Sequence, residues 1–280
     1  MNSGEIKFPV LTITAANFLV FLREKGYSKF TIKLGLVSLK WVNSFFPSGL
    51  NEPLKDKFLD RIVESAKRNI ISKKNQKLPF SKEMITEMIR LGDNPSLIQL
   101  RNALIPALSF SLLLRNDELR HLSCNHISRN DKGLMFHIVS SKTDVYRDGK
   151  KLFLANPNGN SAVVNLLFRY MRAGGLKIGT NSFLFGEVKN ESGLAIVDGS
   201  KPLSYAKCLE VVKSKTRDLG CNANEFGTHS ARSGGATTLA PRVSPFELML
   251  TGRWADARSL RNYVEVGEER RFQISEHLRL

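Results

Sequence analysis

The sequence has few cysteines, and their spacing serves no obvious chemistry. Only three occur among 280 residues, at Cys124, Cys208 and Cys221, and no two of them form a Cys-x-x-Cys pair. An odd number of widely spaced thiols argues against both a zinc site and a disulfide framework. The composition therefore fits a protein of a reducing compartment.

Long apolar runs are also missing. No segment approaches the about 18 consecutive apolar residues of a membrane-spanning helix. The first residues, Met-Asn-Ser-Gly-Glu, show no basic stretch followed by an apolar block, as a secretory signal would. From these features we expect a soluble, intracellular protein that is not secreted.

Acidic residues are the minority among the charged residues. The 42 Lys and Arg residues outnumber the 26 Asp and Glu residues and give a formal net charge of +16. A charge excess of this size predicts a polyanionic partner. Because 42% of the residues are hydrophobic, the chain is too apolar to be a disordered basic tail.

Apolar residues at helical spacing predict a small helical domain at the start of the chain. They form three amphipathic segments, at residues 12–25, 29–46 and 54–70. These segments are expected to pack into one domain that covers residues 1–72. The basic, non-periodic stretch at residues 73–79 is interpreted as the linker that follows it.

Residues 80–280 are predicted to form a larger domain, mainly α-helical with one small antiparallel sheet. Alternating apolar residues at 134–138 and a second apolar run at 152–154, with a turn at Asp148-Gly149, predict the sheet. The fold class is therefore mainly α.

Capping residues mark one helix near the C-terminus. Ser244, Pro245 and Glu247 have the order of a helix start, with Ser at the N-cap, Pro at the first helical position and Glu at the third. Gly252 stands where the C-cap of this helix belongs. We therefore expect a helix between Ser244 and Gly252.

Residues that suit chemistry on a phosphodiester recur through the larger domain. In chain order they are Arg115, Glu118, Lys142, His229, Arg232, Trp254 and Tyr263. The spacing of His229 and Arg232 places both side chains on one face of a helix. Each residue alone would be an ordinary surface, capping or core residue, so the interpretation depends on their joint occurrence.

The chemistry explains why these residue types are needed. Attack on a phosphodiester builds negative charge on its non-bridging oxygens, and the guanidiniums of Arg115 and Arg232 can each bind those oxygens. With two permanent cations, no metal ion or other cofactor is required. The phenol of Tyr263 becomes a nucleophile once a base accepts its proton, and His229 is the nearest candidate.

Three further residues have supporting roles in this scheme. Lys142, on the predicted hairpin, is the candidate proton donor for the leaving 5′-oxygen. The alternatives on the same hairpin are Lys132, Lys150 and Lys151. Glu118 would orient His229 or Arg115, or would simply be a helix-start carboxylate. The indole N–H of Trp254 would donate to a phosphate oxygen while its ring packs beneath the site.

The order Arg, Lys, His-x-x-Arg, Trp and Tyr resembles the tyrosine recombinase (phage integrase) family over about residues 78–265. Arg115 and Glu118 are similar to the family's Arg-x-x-Glu-Leu box, and Lys142 to its sheet lysine. Trp254 stands where most members carry a second His and a minority carry Trp. Within the family, His-Ser-x-Arg-x-Gly-Gly-Ala-Thr followed by Gly-Arg-Trp is most similar to DIRS-type and Crypton-type mobile-element recombinases.

The resemblance implies a site-specific recombinase that integrates, excises or inverts DNA through a 3′-phosphotyrosyl intermediate, without metal or ATP. Residues 1–72 would be its core-binding domain and residues 80–280 its catalytic domain. The implied partners are double-stranded DNA with a specific recombination site and three further copies of the chain in a tetramer. The tail at residues 266–280 would dock on a neighbouring protomer or, alternatively, fold back onto its own domain.

Two basic domains joined by a basic linker are expected to clamp a DNA duplex, because each can neutralise phosphates. The candidate contacts are lysines of the second helix and of the linker: Lys29, Lys33, Lys40, Lys73, Lys74 and Lys77. The alternative is that these lysines form a solvated basic face.

Other functions would use the same residues differently. The alternatives are a type IB topoisomerase, a hairpin telomere resolvase, and a catalytically silent DNA-binding protein of the same fold. A two-domain layout of this length favours a recombinase, and the complete residue set argues against a silent protein. Cleavage in cis is favoured because Tyr263 closely follows Trp254, and cleavage in trans stays open.

Overall fold

A computed structural model describes residues 8–46, 57–70, 77–139, 149–191 and 193–254, together with Leu54, Asp256, Leu260, Phe272, Ser275 and Glu276. Four of the residues singled out from the sequence lie outside this part of the chain: Lys73, Lys74, Lys142 and Tyr263. The chain divides into two compact units, residues 1–75 and 76–280. Among the described residues, no helix combines the length and apolarity needed to span a bilayer.

The described helices of the first unit are α1 (Thr12–Glu24), α2 (Lys29–Asn43) and α3 (Lys57–Asn69). Helix α2 begins after Ser28, whose hydroxyl accepts a hydrogen bond from the backbone N–H of Thr31 at 3.1 Å. This bond satisfies one of the N–H groups that the first turn of a helix leaves without a partner. Each helix contributes to one apolar core, which includes the fully buried Leu19, Ile32 and Leu59.

Helix α2 also exposes apolar side chains on its outer side. Phe30, Leu34, Val37 and Trp41 recur at helical spacing, and each is more than half exposed. We call these four residues the apolar stripe of α2. A continuous apolar surface of this kind on a folded domain marks a contact surface, whereas isolated exposed apolar residues do not.

Seven helices and five strands are described in the second unit. The described helices are α4 (Lys82–Ile89), α5 (Leu97–Ser111), α6 (Asn116–Arg120), α7 (Ala162–Ala173), α8 (Tyr205–Asp218), α9 (Ser230–Leu239) and α10 (Pro245–Gly252). The described strands are β1 (Ile127–Asn130), β2 (Gly133–Ile138), β3 (Lys150–Ala155), β4 (Glu187–Glu191) and β5 (Leu194–Asp198). The predicted fold class, mainly α with a small antiparallel sheet, is confirmed.

Helix α5 lies at the centre of the second unit. It begins with a capping box, in which the Ser96 hydroxyl accepts from the backbone N–H of Gln99 and the Gln99 side chain accepts from the backbone N–H of Ser96. It packs against α7, α8 and α9, and its Leu104 and Leu108 share a core with Phe136 of β2. The segment that leaves α5 therefore runs directly from this core to the site.

The predicted hairpin is confirmed as part of a three-stranded antiparallel sheet in the order β1-β2-β3. Its register pairs Phe136 with Leu152 and His137 with Lys151. Strands β4 and β5 form a second antiparallel pair that the sequence analysis did not predict. The residues of β4, Glu-Val-Lys-Asn-Glu, are mostly polar and exposed, so they lack the apolar alternation that marks a half-buried strand.

Two glycines allow α9 to lie unusually close to its neighbours. A Cβ atom at Gly234 would lie 1.9 Å from the carbonyl oxygen of Phe80, and one at Gly235 would lie 2.2 Å from the carbonyl oxygen of Phe110. No side chain fits at either position. The backbone of α9, which carries Arg232, is therefore held directly against the end of α5.

Substituting Gly235→Ala is expected to destabilise the second unit by about 2 kcal/mol, because the added methyl group overlaps the Phe110 carbonyl. The two tryptophans of the chain are Trp41 and Trp254, so in a Trp41→Phe background the fluorescence change during urea unfolding reports the second unit alone. The matched control is Gly92→Ala, since a Cβ at Gly92 meets no atom within 4 Å. Equal unfolding midpoints for the two variants would contradict the packing argument.

Candidate active site

A cleft of about 850 Å³ opens on the second unit where several of the predicted residues meet. Arg115 and Glu118 line it from the start of α6, and His229 lines it from the start of α9. Further lining residues come from α6, the sheet and α8: His121, His126, His137, Ile138, Val139 and Tyr205. Arg115 and His229, which are far apart in the sequence, thus face one cavity.

Glu118 is a buried carboxylate that holds Arg115. Its Oε2 accepts a hydrogen bond from the backbone N–H of Arg115 at 2.8 Å, and its Oε1 accepts one from Arg115 Nη1 at 2.7 Å. Burial alone would raise the pKa of Glu118, but the charge of Arg253 and hydrogen bonds from Arg253 and Arg115 outweigh burial and lower that pKa. Glu118 is therefore ionised at neutral pH and contacts Arg115, the second of the two partners that the sequence analysis considered.

Arg232 lies beneath the cleft, and its side chain is fully buried. Its Nη1 donates a hydrogen bond to the carbonyl oxygen of Leu113, and its Nη2 donates one to the carbonyl oxygen of Gly252. Its Cζ lies 4.5 Å from the centre of the Trp254 ring, which is a cation–π contact. The structure thus brings Arg232 and Trp254 together. Arg232 is buried and is not among the residues that line the cleft, whereas the sequence analysis expected it to contact a phosphate directly.

Trp254 is a buried packing residue. Its ring belongs to an apolar cluster with Leu113, Ala236, Leu248 and Leu260. Leu260 precedes Tyr263 by three residues. The described part of the chain that leads to Tyr263 therefore packs in the same cluster as Trp254, next to Arg232.

His229 is exposed and immediately precedes α9. Its pKa lies below the ordinary value because nearby protein atoms desolvate the ring and because the charges of Arg232 and Arg115 disfavour a second cation. His229 is therefore neutral near pH 7 and able to accept a proton. The Arg232 charge is therefore close enough to His229 to disfavour its protonated form.

Arg253 is a site residue that the sequence analysis missed. Its Nη2 donates hydrogen bonds to Glu118 Oε2 at 2.6 Å and to the carbonyl oxygen of Leu113 at 2.8 Å. Its own carbonyl oxygen accepts a hydrogen bond from Arg115 Nη2 at 2.8 Å. The one signal in the sequence was its position, between the glycine and the tryptophan of Gly252-Arg-Trp254, which does not reveal a partner 135 residues away.

Helix α10 begins as predicted and ends one residue later than predicted. The capping box of Ser244 and Glu247 is confirmed, with hydrogen bonds in both directions. The prediction that Gly252 is the C-cap is wrong, because Gly252 is the last helical residue and Arg253 takes the left-handed conformation, with φ of 57°. Glycine is needed at 252 for another reason: a Cβ there would lie 1.7 Å from the ring of Trp254.

The predicted DNA-contacting lysines differ in their surroundings. Two of them are exposed on α2: Lys29 and Lys33. Lys40, on the same helix, binds Asp60 of α3 at 3.1 Å between Nζ and Oδ1. Lys77, at the end of the predicted linker, donates from Nζ to the backbone carbonyl oxygen of Asn224 at 2.6 Å. Lys40 and Lys77 therefore already have partners within the chain.

Histidines line the cleft, but they do not form a metal-binding cluster. The rings of His126 and His137 are 6.4 Å apart between centres. Burial and the neighbouring His137 lower the pKa of His126. Within the described ranges, no three His, Cys, Asp or Glu side chains form a group that could hold a metal ion.

No family model matches the chain. In sequence it is similar to the Cre recombinase of Escherichia phage P1, with 26% identity over 271 residues that cover 92% of this chain and 76% of Cre. It is also similar to an integrase/recombinase XerD homologue of Selenomonas ruminantium, with 22% identity over 79% of this chain and 63% of that protein. In fold it is similar to the site-specific recombinase XerH bound to a palindromic difH substrate, with a TM-score of 0.66 and 18% identity over 95% of this chain and 70% of XerH.

The pKa of His229 is expected to rise toward its ordinary value in Arg115→Gln, because one of the two repelling charges is removed. An NMR titration of the imidazole signals, with the His229 signal assigned from His229→Gln, measures this change. Arg90→Gln is the control, since Arg90 is exposed and pairs with Glu87 away from the cleft. If the titration of the unaltered chain gave His229 a pKa at or above about 6.5, the electrostatic description of the cleft would be wrong.

Proposed function

We propose that the chain is a tyrosine recombinase, an enzyme that cuts and rejoins DNA at a specific site through a tyrosine intermediate, and that its reaction takes place at the cleft lined by Arg115 and His229. The observation that carries this proposal is the convergence of those two side chains on one cavity, with Glu118 bound to Arg115 and the buried Arg232 close to His229. The relatives are recombinases, so they do not favour a topoisomerase or a telomere resolvase.

Arg115 and Arg232 supply the positive charge that the reaction requires. Arg115 lines the cleft and is held from behind by Glu118, so a phosphate in the cleft would meet its guanidinium directly. Arg232 acts through the low-dielectric interior, where a charge is less screened than in water. Its effect on the pKa of His229 supports this role, since a phosphate beside His229 would experience the same field.

The proposed reaction is a transesterification. The Tyr263 oxygen attacks phosphorus, its proton passes to His229, and the bond from phosphorus to the 5′-oxygen breaks. Lys142 donates a proton to the leaving 5′-oxygen. The 3′-phosphotyrosyl bond retains the free energy of the phosphodiester, so the reverse attack by a 5′-hydroxyl rejoins the strand without ATP.

Chain connectivity supports Tyr263 and Lys142 in these roles. Three residues span at most about 11 Å when fully extended. Tyr263 follows the clustered Leu260 by three residues, and Lys142 follows the cleft residue Val139 by three residues. Lys151 stays the alternative proton donor, because it lies opposite the cleft residue His137 in the sheet.

DNA binding is proposed to involve both parts of the chain, with residues 1–72 as the core-binding domain, 73–79 as the linker and 80–280 as the catalytic domain. The net charge of +16 supports contact with phosphates along an extended length of duplex. Lys29 and Lys33 are the best placed of the predicted contacts, because both are exposed on α2.

Assembly into a homo-tetramer on DNA is proposed to use the apolar stripe of α2 against a second copy of the chain. The stripe contains two aromatic residues, Phe30 and Trp41, which are 71% and 63% exposed. A phosphate backbone offers these side chains little apolar surface, so another protein surface would cover them better, and the tetramer that the resemblance implies supplies one. The tail at 266–280, of which Phe272 is described and exposed, is proposed to dock on a neighbouring protomer.

Incubation with DNA that flanks the gene, without added metal or ATP, is expected to give a covalent protein–DNA adduct that survives denaturation. Tyr263→Phe should abolish the adduct, and Arg115→Ala should slow its formation by about 100- to 1000-fold, because a charge-stabilising donor is lost. The matched control is Tyr205→Phe, since Tyr205 is an exposed tyrosine that lines the cleft. An adduct that persisted in Tyr263→Phe and disappeared in Tyr205→Phe would reassign the nucleophile.

The double substitution Phe30→Asp with Trp41→Asp is expected to prevent tetramer formation, because it places charges in the apolar stripe. The protein copies that bind one DNA site should still bind it. Sedimentation velocity of the protein–DNA complexes measures the assembly. Phe153→Asp is the control, since Phe153 is 67% exposed on β3, outside the stripe. Unchanged tetramers in the double variant would exclude the stripe as the interface.

A further inference from the structure

We propose that Arg253 is a positioning residue of the cleavage reaction: it fixes Glu118, and through Glu118 it fixes the Arg115 guanidinium at the cleft. This inference rests on the proposed function, because it assigns Arg253 a part in the same reaction. Arg253 does not touch the substrate itself. Its side chain is 4% exposed and lies behind the residues that line the cleft.

Arg253 holds Arg115 by two routes. Its guanidinium binds Glu118 Oε2 at 2.6 Å, the same oxygen that accepts the backbone N–H of Arg115. Its carbonyl oxygen accepts a hydrogen bond from Arg115 Nη2 at 2.8 Å, while Arg115 Nη1 binds Glu118 Oε1 at 2.7 Å. Both terminal nitrogens of Arg115 are therefore oriented by groups that depend on Arg253.

Arg253 also aligns this group with Arg232. The carbonyl oxygen of Leu113 accepts hydrogen bonds from Arg253 Nη2, at 2.8 Å, and from Arg232 Nη1. Leu113 itself has a left-handed backbone, with φ of 49°, which an L-residue adopts only at a cost. The carbonyl oxygen of this one residue thus binds both Arg232 and Arg253 and fixes their relative positions.

Arg253 has a backbone conformation that normally favours glycine, which indicates that its side chain is needed at this position. The N–H of Trp254 bonds to the carbonyl of Met249, and the N–H of Arg253 bonds to the carbonyl of Leu250, which together form a Schellman motif. The left-handed position of that motif normally holds glycine, which fits without strain. An arginine at this position is strained, and its contacts with Glu118 and Leu113 offset the strain.

Glu118 is surrounded by cations from several elements, and its charge depends on them. Arg115 and Arg253 contact it directly. Arg232 of α9 donates a hydrogen bond to the nearby carbonyl oxygen of Leu113. The other charged or titratable groups nearby are those of α6 and of the segment before α9: Asp117, Arg120, His121 and His229. Loss of Arg253 would leave a buried carboxylate with fewer positive partners and so would raise its pKa.

Arg253→Gly tests the proposal cleanly, because glycine suits the left-handed backbone. We expect the rate of adduct formation on saturating DNA to fall by about 10- to 100-fold, as for other residues that orient a functional group. The Kd for DNA should change less than two-fold, since Arg253 does not reach the substrate. The acid limb of the pH–rate profile should move to higher pH, because Glu118 then protonates more readily.

Two comparisons separate positioning from a purely structural role. Arg101→Ala removes another buried arginine of the second unit, one that binds the Gly186 carbonyl at 3.1 Å, and it should lower stability without moving the pH profile. Arg253→Lys should restore the acid limb but not the full rate, since lysine carries the charge without the forked donor geometry. A pH profile that moved equally in Arg101→Ala and Arg253→Gly would overturn the proposal.

Coupling to Glu118 gives a second test. If Arg253 acts through Glu118, the double variant Arg253→Gly with Glu118→Gln should be no slower than the slower single variant. Rate losses that multiply in the double variant would contradict the proposed route. A wild-type rate in Arg253→Gly would also contradict it.

Hydrogen exchange keeps the inference testable apart from activity. Protection of the Arg115 backbone amide, which bonds to Glu118, should fall at least ten-fold in Arg253→Gly and stay unchanged in Arg101→Ala. If the unaltered chain formed no adduct, the proposed function would fail, while this measurement would still decide whether Arg253 fixes Arg115. Unchanged protection in a folded Arg253→Gly protein would overturn the inference.

Discussion

The second unit depends on holding three guanidiniums, those of Arg115, Arg232 and Arg253, around the Glu118 carboxylate and the Leu113 carbonyl. Moving an arginine out of water is costly unless its charge is compensated, and in the described residues this carboxylate is the acidic group that contacts the cluster. Carbonyl oxygens at the ends of α5 and α10 also accept hydrogen bonds from these arginines. A phosphate diester in the cleft would add negative charge next to Arg115, which lines the cleft. The site is therefore expected to gain electrostatic stabilisation when DNA binds.

The ends of α5 and α10 bring these charges together. A residue with a left-handed backbone lies just after each helix: Leu113 after α5 and Arg253 after α10. Each such residue costs roughly 1–2 kcal/mol relative to an ordinary helix exit. Gly235 allows α9 to lie directly against the end of α5, which brings Arg232 to the Leu113 carbonyl, and Gly234 allows the close approach to Phe80. Backbone strain and close packing thus occur together at the site, where main-chain carbonyl oxygens accept hydrogen bonds from the arginines.

Much of this fold follows from patterns that are local in the sequence. The helices at residues 12–24, 29–43 and 57–69 match the predicted amphipathic segments, and the capping box at Ser244 follows from residue order alone. The contact between Arg253 and Glu118 could not be predicted, because it depends on how two distant helix ends meet. The burial of Arg232 was missed for the same reason. The β4–β5 pair escaped prediction because β4 is mostly polar and exposed and carries no periodic apolar signal.

Helix α2 of the first unit carries residues of both proposed interactions, DNA binding and contact with a second copy of the chain. Lys29 and Lys33 lie beside the apolar stripe of α2, so a surface suited to phosphate and a surface suited to protein share an edge. Copies of a chain with a net charge of +16 repel one another in solution, and this repulsion opposes contact between their apolar stripes. DNA phosphates neutralise that charge where the copies bind. Assembly is therefore expected to follow DNA binding. Complete assemblies, with all their active sites, would then form only on DNA to which the protein is already bound.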